Sequence, residues 1–295
     1  MTRPAHEGFG SLRSLLAQPP SGVGWRTLCD LLNRAWSRAP REVEQRWLPY
    51  AQDHLAQWPA GLRVASESWA DSLMLERSAA LLGLARVIEI AHASELRAVL
   101  LGLARNRARH DIQYIHIQLA HRNDFMTLGT NTFSGVSVPG VRGLRLSQAW
   151  STSDAIGRLL RALPGLRALG LDAISCSGVL GDPGANILPA HVTDLSLDDA
   201  SINTDILWEW SEMPSWQHTI QRLSVRGATL DREAVLPLER MRALRALDIA
   251  DTFLCTNPAW ARNVLAELPM LRALHVNRRA ADDPDALLDT PLWLT

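Results

Sequence analysis

The amino-acid sequence predicts an α/β repeat solenoid, in which a parallel sheet faces one side, helical segments face the other, and an all-α cap precedes both. Two observations carry that expectation. The pattern apolar-x-x-apolar-x-apolar recurs eight times between Ala85 and Val276. Ahead of it, five tryptophans stand eleven residues apart. A third observation bounds the rest: 295 residues with 47% apolar content and a formal net charge of -1 suit a soluble chain with a sizeable core. They do not suit a disordered tail or a polyanion binder.

The hexapeptide matches are ARVIEI at 85–90, IQYIHI at 112–117, VRGLRL at 141–146, LRALGL at 166–171, VTDLSL at 192–197, IQRLSV at 220–225, LRALDI at 244–249 and LRALHV at 271–276. Their fourth positions are Ile88, Ile115, Leu144, Leu169, Leu195, Leu223, Leu247 and Leu274, separated by 27, 29, 25, 26, 28, 24 and 27 residues. In a strand, positions four and six share one face, so both bury while positions three, five and seven face outward. One such strand cannot cover its own apolar face. Stacked copies can, as a parallel sheet with a return segment closing each repeat.

The segments between matches carry helical signals. Ser153 is placed to cap a run with Ile156, Leu159, Leu160 and Leu163 at helical spacing. Asp231 stands at the head of DREAVLPLERM, and Pro258 follows Asn257, where a first-turn proline is tolerated. This strand-then-helix unit resembles the leucine-rich repeat in its longer, helix-backed, ribonuclease-inhibitor-like form. The resemblance covers roughly Leu84 to Arg279 and implies a horseshoe whose concave face is the contact surface. One feature departs from it. The ninth position, where an asparagine ladder is common, holds Ala93, Ala120, Ala149, Ile174, Ala200, Ala228, Thr252 and Arg279, so the turns must satisfy their backbone in another way.

The organisation expected is an arm at 1–24, a helical cap at 25–83, about eight repeats at 84–279 and a C-terminal cap at 280–295. Trp25, Trp36, Trp47, Trp58 and Trp69 would share a face on one continuous helix, because eleven residues advance only about 20° beyond three turns. Pro40, Pro49, Pro59 and Gly61 forbid that helix. Short helices are expected instead over 25–38, over 41–57 with a break near Pro49, and over 67–82. Their tryptophans are expected to pack as a core against the first repeat. Leu288, Leu292, Trp293 and Leu294 are expected to cover the last one.

The concave positions include Glu89, Tyr114, His116, Gln118, Arg145, Asp172, Asp194, Asp198, Arg222, Arg226, Asp248, His275 and Asn277. Eight strands about 4.8 Å apart give a surface on the order of 35–40 Å long, enough for an interface of about 800 Å² per partner. Asp194 and Arg222 share a column, as do Asp198 and Arg226, so mixed charge rather than a basic stripe is expected. A second candidate surface is WEWSEMPSW, with Trp208, Trp210 and Trp216 on the convex side; filling gaps between repeats is its other reading.

Enzyme chemistry has little to rest on. The chain contains no lysine, all thirty of its basic residues being arginine, which excludes a catalytic lysine or a Walker-type phosphate loop. That bias is expected of a GC-rich bacterial genome. Cys29, Cys176 and Cys255 lie far apart and imply neither a disulfide framework nor a zinc site. His110, His116 and His121 fall within twelve residues, but only His116 belongs to the concave face. The glycines of 178–186 precede a strand, not a helix. The expected function is a non-enzymatic, cytoplasmic protein-interaction module of adaptor, inhibitor or immunity type, with a protein partner, no cofactor, no metal, no nucleic acid and no membrane. Its oligomeric state is open. The alternatives are a subunit of a larger assembly and, further off, a metal-dependent hydrolase around His116. A repeat-bearing ubiquitin ligase is not expected, because these residues leave no room for a substantial catalytic domain beside the repeats.

Overall fold

A computed structural model of the chain describes residues 3–65, 69, 79–90, 93–106, 110–118, 133, 135–147, 153–172, 191–200, 202–252, 268 and 271–275. The chain divides into two compact units. The first comprises 1–89, 98–113 and 294–295, and the second 90–97 and 114–293.

The first unit opens with helix α1 (Arg3–Leu16), inside the segment expected as an arm. Leu12 and Leu16 are buried. Helix α2 (Gly22–Arg38) starts three residues earlier than expected because Ser21 caps it, accepting from the Gly24 N–H at 3.0 Å. Then α3 (Pro40–Glu42), a π-turn (Val43–Trp47) and α4 (Leu48–Leu55) run together. The break expected at Pro49 is therefore a widening just before it. The Leu48 N–H reaches back to the Val43 carbonyl, and a proline, which has no N–H and crowds the carbonyl four residues back, fits a turn opened in this way.

Of the five spaced tryptophans, Trp25, Trp47, Trp58 and Trp69 are buried, whereas Trp36 is half-exposed. Trp25 and Trp69 meet edge to face, their ring centroids 6.0 Å apart. Their indole N–H groups donate to the Val64 carbonyl and to Asn33 Oδ1, both at 2.6 Å. Trp47 packs separately, against Phe9. Trp69 is helical, and Ala79–Leu84 forms a 3₁₀-helix; the rest of the helix expected over 67–82 lies outside the described residues. Val64 bridges in parallel to Val87 at the start of strand β1 (Val87–Ile90). In this way the cap's chain continues the backbone pairing of the first repeat.

In the second unit, β2 (Tyr114–Gln118), β3 (Gly143–Ser147), β4 (Ala168–Asp172), β5 (Asp194–Ser196), β6 (Arg222–Ser224), β7 (Ala246–Asp248) and β8 (Ala273–His275) pair in parallel in chain order. The register aligns Ile115, Leu144, Leu169, Leu195, Leu223, Leu247 and Leu274 as one column. From Ile115 to Leu247 each is at most 2% exposed. The periodicity of the sequence thus becomes a continuous apolar core. Return helices follow the strands: α5 (Ala93–Arg105), whose residues from Ala98 on belong to the first unit, α6 (Ser153–Ala162), α7 (Thr204–Ser211) with the short α8 (Pro214–Thr219), and α9 (Val235–Arg240). Asn203 caps α7 through the Ile206 N–H, and Asp231 caps the turn leading into α9 through the Glu233 N–H at 2.9 Å. Ser153 begins α6, but its side chain, Pro258 and the C-terminal cap lie outside the described residues.

The missing asparagine ladder is replaced by a tight turn. Asp199, Gly227 and Asp251 occupy the eighth position of successive repeats, with φ of 54°, 69° and 61°. Each lets the ninth N–H turn back to the sixth carbonyl: Ala200 to Leu197, Ala228 to Val225 and Thr252 to Ile249, at 3.2–3.3 Å. Aspartate and glycine tolerate this left-handed backbone better than most residues. Gly227→Ala adds left-handed strain and drives a Cβ into Asp199 Oδ1. It is expected to cost roughly 1–2 kcal/mol, read as a lower urea midpoint with unchanged slope. A cost below a few tenths of a kcal/mol would show that the turn relaxes.

Candidate functional site

The sheet places side chains on the concave face as the alternation requires, and the register shows what each meets. Asp194 lies beside Arg222 and pairs with its Nε, as the shared column predicts. Arg145 pairs through Nε with Asp172, one strand on and two positions along. The carboxylates are nearly sealed: Asp172 and Asp194, under Arg145 and Arg222, are 7% and 3% exposed, and Asp248, which accepts from the Ala250 N–H, is 3% exposed. Arg145, Arg222 and Arg226 each leave about 30% of their side chain accessible. The accessible side chains here are therefore arginine and tyrosine, with Asp172 and Asp194 holding Arg145 and Arg222 from below.

The second charge column differs from expectation. Asp198 accepts from the Arg226 backbone N–H at 3.1 Å and from Ser224 Oγ at 2.5 Å. The Arg226 guanidinium turns away to Asp251, with Nη2 to Oδ2 at 3.6 Å. The left-handed turn at position eight brings Asp251 within reach and leaves Asp198 to the backbone. Arg226 Nε is buried with no hydrogen-bond partner among the described residues.

Hydroxyls complete the network, and residue-by-residue reading of the charges missed them. Ser196 donates to Asp172 Oδ1 at 2.7 Å, and Thr193 donates to Asp194 Oδ2 at 2.7 Å. The signal was available in the SLDD and LSV contexts: a small hydroxyl at position five lies one strand from an acid. Burial pushes the Asp172 carboxyl up, while Arg145 and Ser196 pull it back. Tyr114 lies over Gly143, where a Cβ would overlap its ring. Burial raises the Tyr114 hydroxyl's pKa, and Arg142 and Arg222 oppose that rise.

His116 Nε2 is 3.2 Å from Ser147 Oγ, whereas His110 Nε2 faces the Leu103 carbonyl at 2.9 Å. The two imidazoles have separate partners; His121 is outside the described residues. Among the described residues no three His, Cys, Asp or Glu side chains gather around one point. The side chains of Gln118 and His275, and all of Asn277, also lie outside them, although Gln118 pairs with Ser147 and His275 with Asp248 by backbone register. Cys29 is buried and its thiol is pushed up to about 12, chiefly by burial, so it is an inert core group. Cys176, Cys255 and the glycines of 178–186 are not described. No described helix is long and apolar enough to cross a membrane.

His110 gives the first unit a pH dependence. Burial lowers its pKa below the ordinary 6.5, against the raising effects of the Leu103 carbonyl and Asp111. The ring accepts from the Ile112 N–H at Nδ1, 3.3 Å away, so the neutral form fits. The unfolded chain then binds this proton more readily than the folded one. The stability from this group is complete above about pH 6.5 and falls as the pH drops through that value. His110→Gln is expected to flatten the urea-midpoint profile between pH 7.5 and 5.5. An unchanged slope would assign the acid sensitivity to other groups.

On the convex side, Trp210 and Trp216 are 1% and 2% exposed and stack with centroids 4.5 Å apart. Of the three tryptophans considered for a partner site, two therefore fill the interior. Only Trp208 is partly accessible, under the Arg240 guanidinium at 4.6 Å.

No family model matches the chain, and no curated protein matches it. Among solved structures it is similar to the leucine-rich repeat-containing protein LegL7 of Legionella pneumophila, with 14% identity, 79% of each chain covered and a TM-score of 0.46. It is similar to a protein of Bacteroides fragilis at 13% identity, covering 73% of this chain and 74% of that one, TM-score 0.45. An internalin of Listeria monocytogenes shows 15% identity, with 83% of this chain and 70% of that one covered, TM-score 0.37. The chain's own geometry carries the assignment. With one parallel strand per repeat, a buried apolar column at position four and helices returning between strands, the chain has the fold of a helix-backed leucine-rich-repeat solenoid.

Proposed function

We propose that the chain is a non-enzymatic protein-interaction module that holds a partner protein on the concave face between β2 and β7, in an adaptor, inhibitor or immunity-type role. The observation that carries this reading is the state of the concave charges. Asp172, Asp194 and Asp198 are already satisfied from within the sheet. Arg226 keeps a buried, unpartnered Nε among the described residues, beside partly exposed guanidinium and tyrosine surface. A surface held in place this way loses little side-chain freedom on docking, and arginine and tyrosine are the side chains that most often dominate an interface.

The test is affinity capture from the native host with wild type and with Tyr114→Ala/Arg226→Ala. Neither change removes a group on which a buried carboxylate depends for its hydrogen bonds. A stoichiometric protein held by wild type and lost by the folded variant is the expected result. A partner retained equally by both would move the site off the concave face. A solution mass that rises with concentration would favour a subunit of a larger assembly.

A further inference from the structure

Position two of the repeat, one residue before the first concave position, is Arg86, Gln113, Arg142, Arg167, Thr193, Gln221, Arg245 and Arg272. No acidic and no aromatic residue occupies it in any repeat. In the second unit these positions stack in register, because each carbonyl accepts two N–H groups from the next repeat. The Arg142 carbonyl takes those of Arg167 and Ala168, and the Arg245 carbonyl takes those of Arg272 and Ala273. Arg142, Arg167, Arg245 and Arg272 are all exposed. None has a carboxylate within ion-pair distance among the described residues. The concave arginines are different: Arg145 and Arg222 lie on acids of their own sheet.

We infer that this strand-entry rim is a second binding surface, distinct from the concave face, and that it takes an extended acidic segment of a protein. Neighbouring strands are about 4.8 Å apart, so Arg142 to Arg272 spans five steps, roughly 24 Å. An extended peptide covers that length with about seven residues at about 3.3 Å each. Alternate side chains of such a peptide fall about 7 Å apart on one edge, within reach of flexible arginine side chains that can grip carboxylates in a bidentate fork. The charge is grouped as two adjacent pairs, with neutral hydrogen-bonding Thr193 and Gln221 between them. That grouping suits discrete carboxylates better than an evenly charged phosphate backbone. Position two itself offers no ring on which a base could stack, and the chain as a whole carries a formal net charge of -1.

The experiment measures fluorescence anisotropy of a labelled (Glu-Ser)6 peptide with the full chain in 50 mM salt. Its comparisons are Arg142→Gln/Arg167→Gln/Arg245→Gln/Arg272→Gln, a control removing as much charge elsewhere (Arg13→Gln/Arg26→Gln/Arg38→Gln/Arg41→Gln), and a labelled twelve-residue thymidylate. The expected result is peptide binding that weakens at least tenfold in the rim variant, stays within twofold in the control, weakens as salt rises, and exceeds thymidylate binding at least tenfold. Equal weakening by both variants would overturn the site and leave only a net-charge effect. Thymidylate binding as tight as the peptide's would overturn the assignment to acidic protein, and absence of peptide binding would overturn the rim as an interaction surface. Because all eight substituted side chains are exposed, circular-dichroism melts of both variants should match wild type.

Discussion

Trp210→Ala is expected to destabilise the second unit by about 3–5 kcal/mol, while Trp208→Ala costs under about 1 kcal/mol. The difference comes from where the two rings go, two residues apart on α7. Trp210 is 1% exposed and stacks on Trp216 at 4.5 Å, filling the space between successive return helices. Truncation removes that ring's transfer free energy and leaves a cavity that the stacked partner cannot fill. Trp208 faces outward under Arg240, itself held by Glu212 at 3.1 Å, and an exposed cation–π contact contributes little. Urea denaturation followed by near-ultraviolet circular dichroism separates the two variants. Because a solenoid is stabilised repeat by repeat, the loss is expected first in the α7–β6 region, visible as a pre-transition in hydrogen exchange at Leu223 and Val225. Comparable costs for the two substitutions would contradict the burial assigned here.

The same tryptophans show what the sequence could and could not convey. Position four of the repeat was legible because burial on one strand face repeats with the fold's own period. Eight copies of a two-residue alternation leave few alternatives. The Asp194–Arg222 pair was legible for the same reason, since register fixes a column once the repeat is aligned. The Arg226 side chain was not. Its partner Asp251 sits one repeat on and one position along, and it comes within reach only because the turn is left-handed. That conformation is set by three residues of two types, Asp199, Gly227 and Asp251, which also occur in ordinary turns. WEWSEMPSW was ambiguous because a two-residue spacing of tryptophans puts one ring in and one out on a helix, and the sequence does not state the phase. Burial of the concave acids was hidden as well. For Asp172 and Asp194 it comes with the arginines and hydroxyls that lie against them, Arg145 and Ser196 on the one and Arg222 and Thr193 on the other, mostly contacts between strands.

Arg63→Leu is expected to cost about 3 kcal/mol, mostly in the first unit, for a reason no hydrophobic pattern contains. Arg63 is 3% exposed. Its Nε donates to the Leu84 carbonyl at 2.8 Å and its Nη1 to the Leu55 carbonyl at 3.1 Å. Its own carbonyl receives the Arg86 and Val87 N–H groups. One guanidinium therefore ties the end of α4 to the 3₁₀-helix before β1, where the cap's chain becomes the first strand's neighbour. Burial lowers its pKa to about 10, with Arg86 adding to the fall and Asp111 opposing it, so the group remains charged at neutral pH. Leucine fills part of the volume but takes a donor from two buried carbonyls, that of Leu84 and that of Leu55, the latter keeping only the Trp58 N–H; an unmet buried polar group costs about 1–3 kcal/mol. Arg63→Lys tests whether geometry or charge matters. A single ammonium cannot span carbonyls on opposite sides as a planar fork does, so lysine is expected to recover less than half of the loss. Full rescue by lysine would mean that the positive charge, and not the two-sided hydrogen bonding, holds the cap to the first repeat.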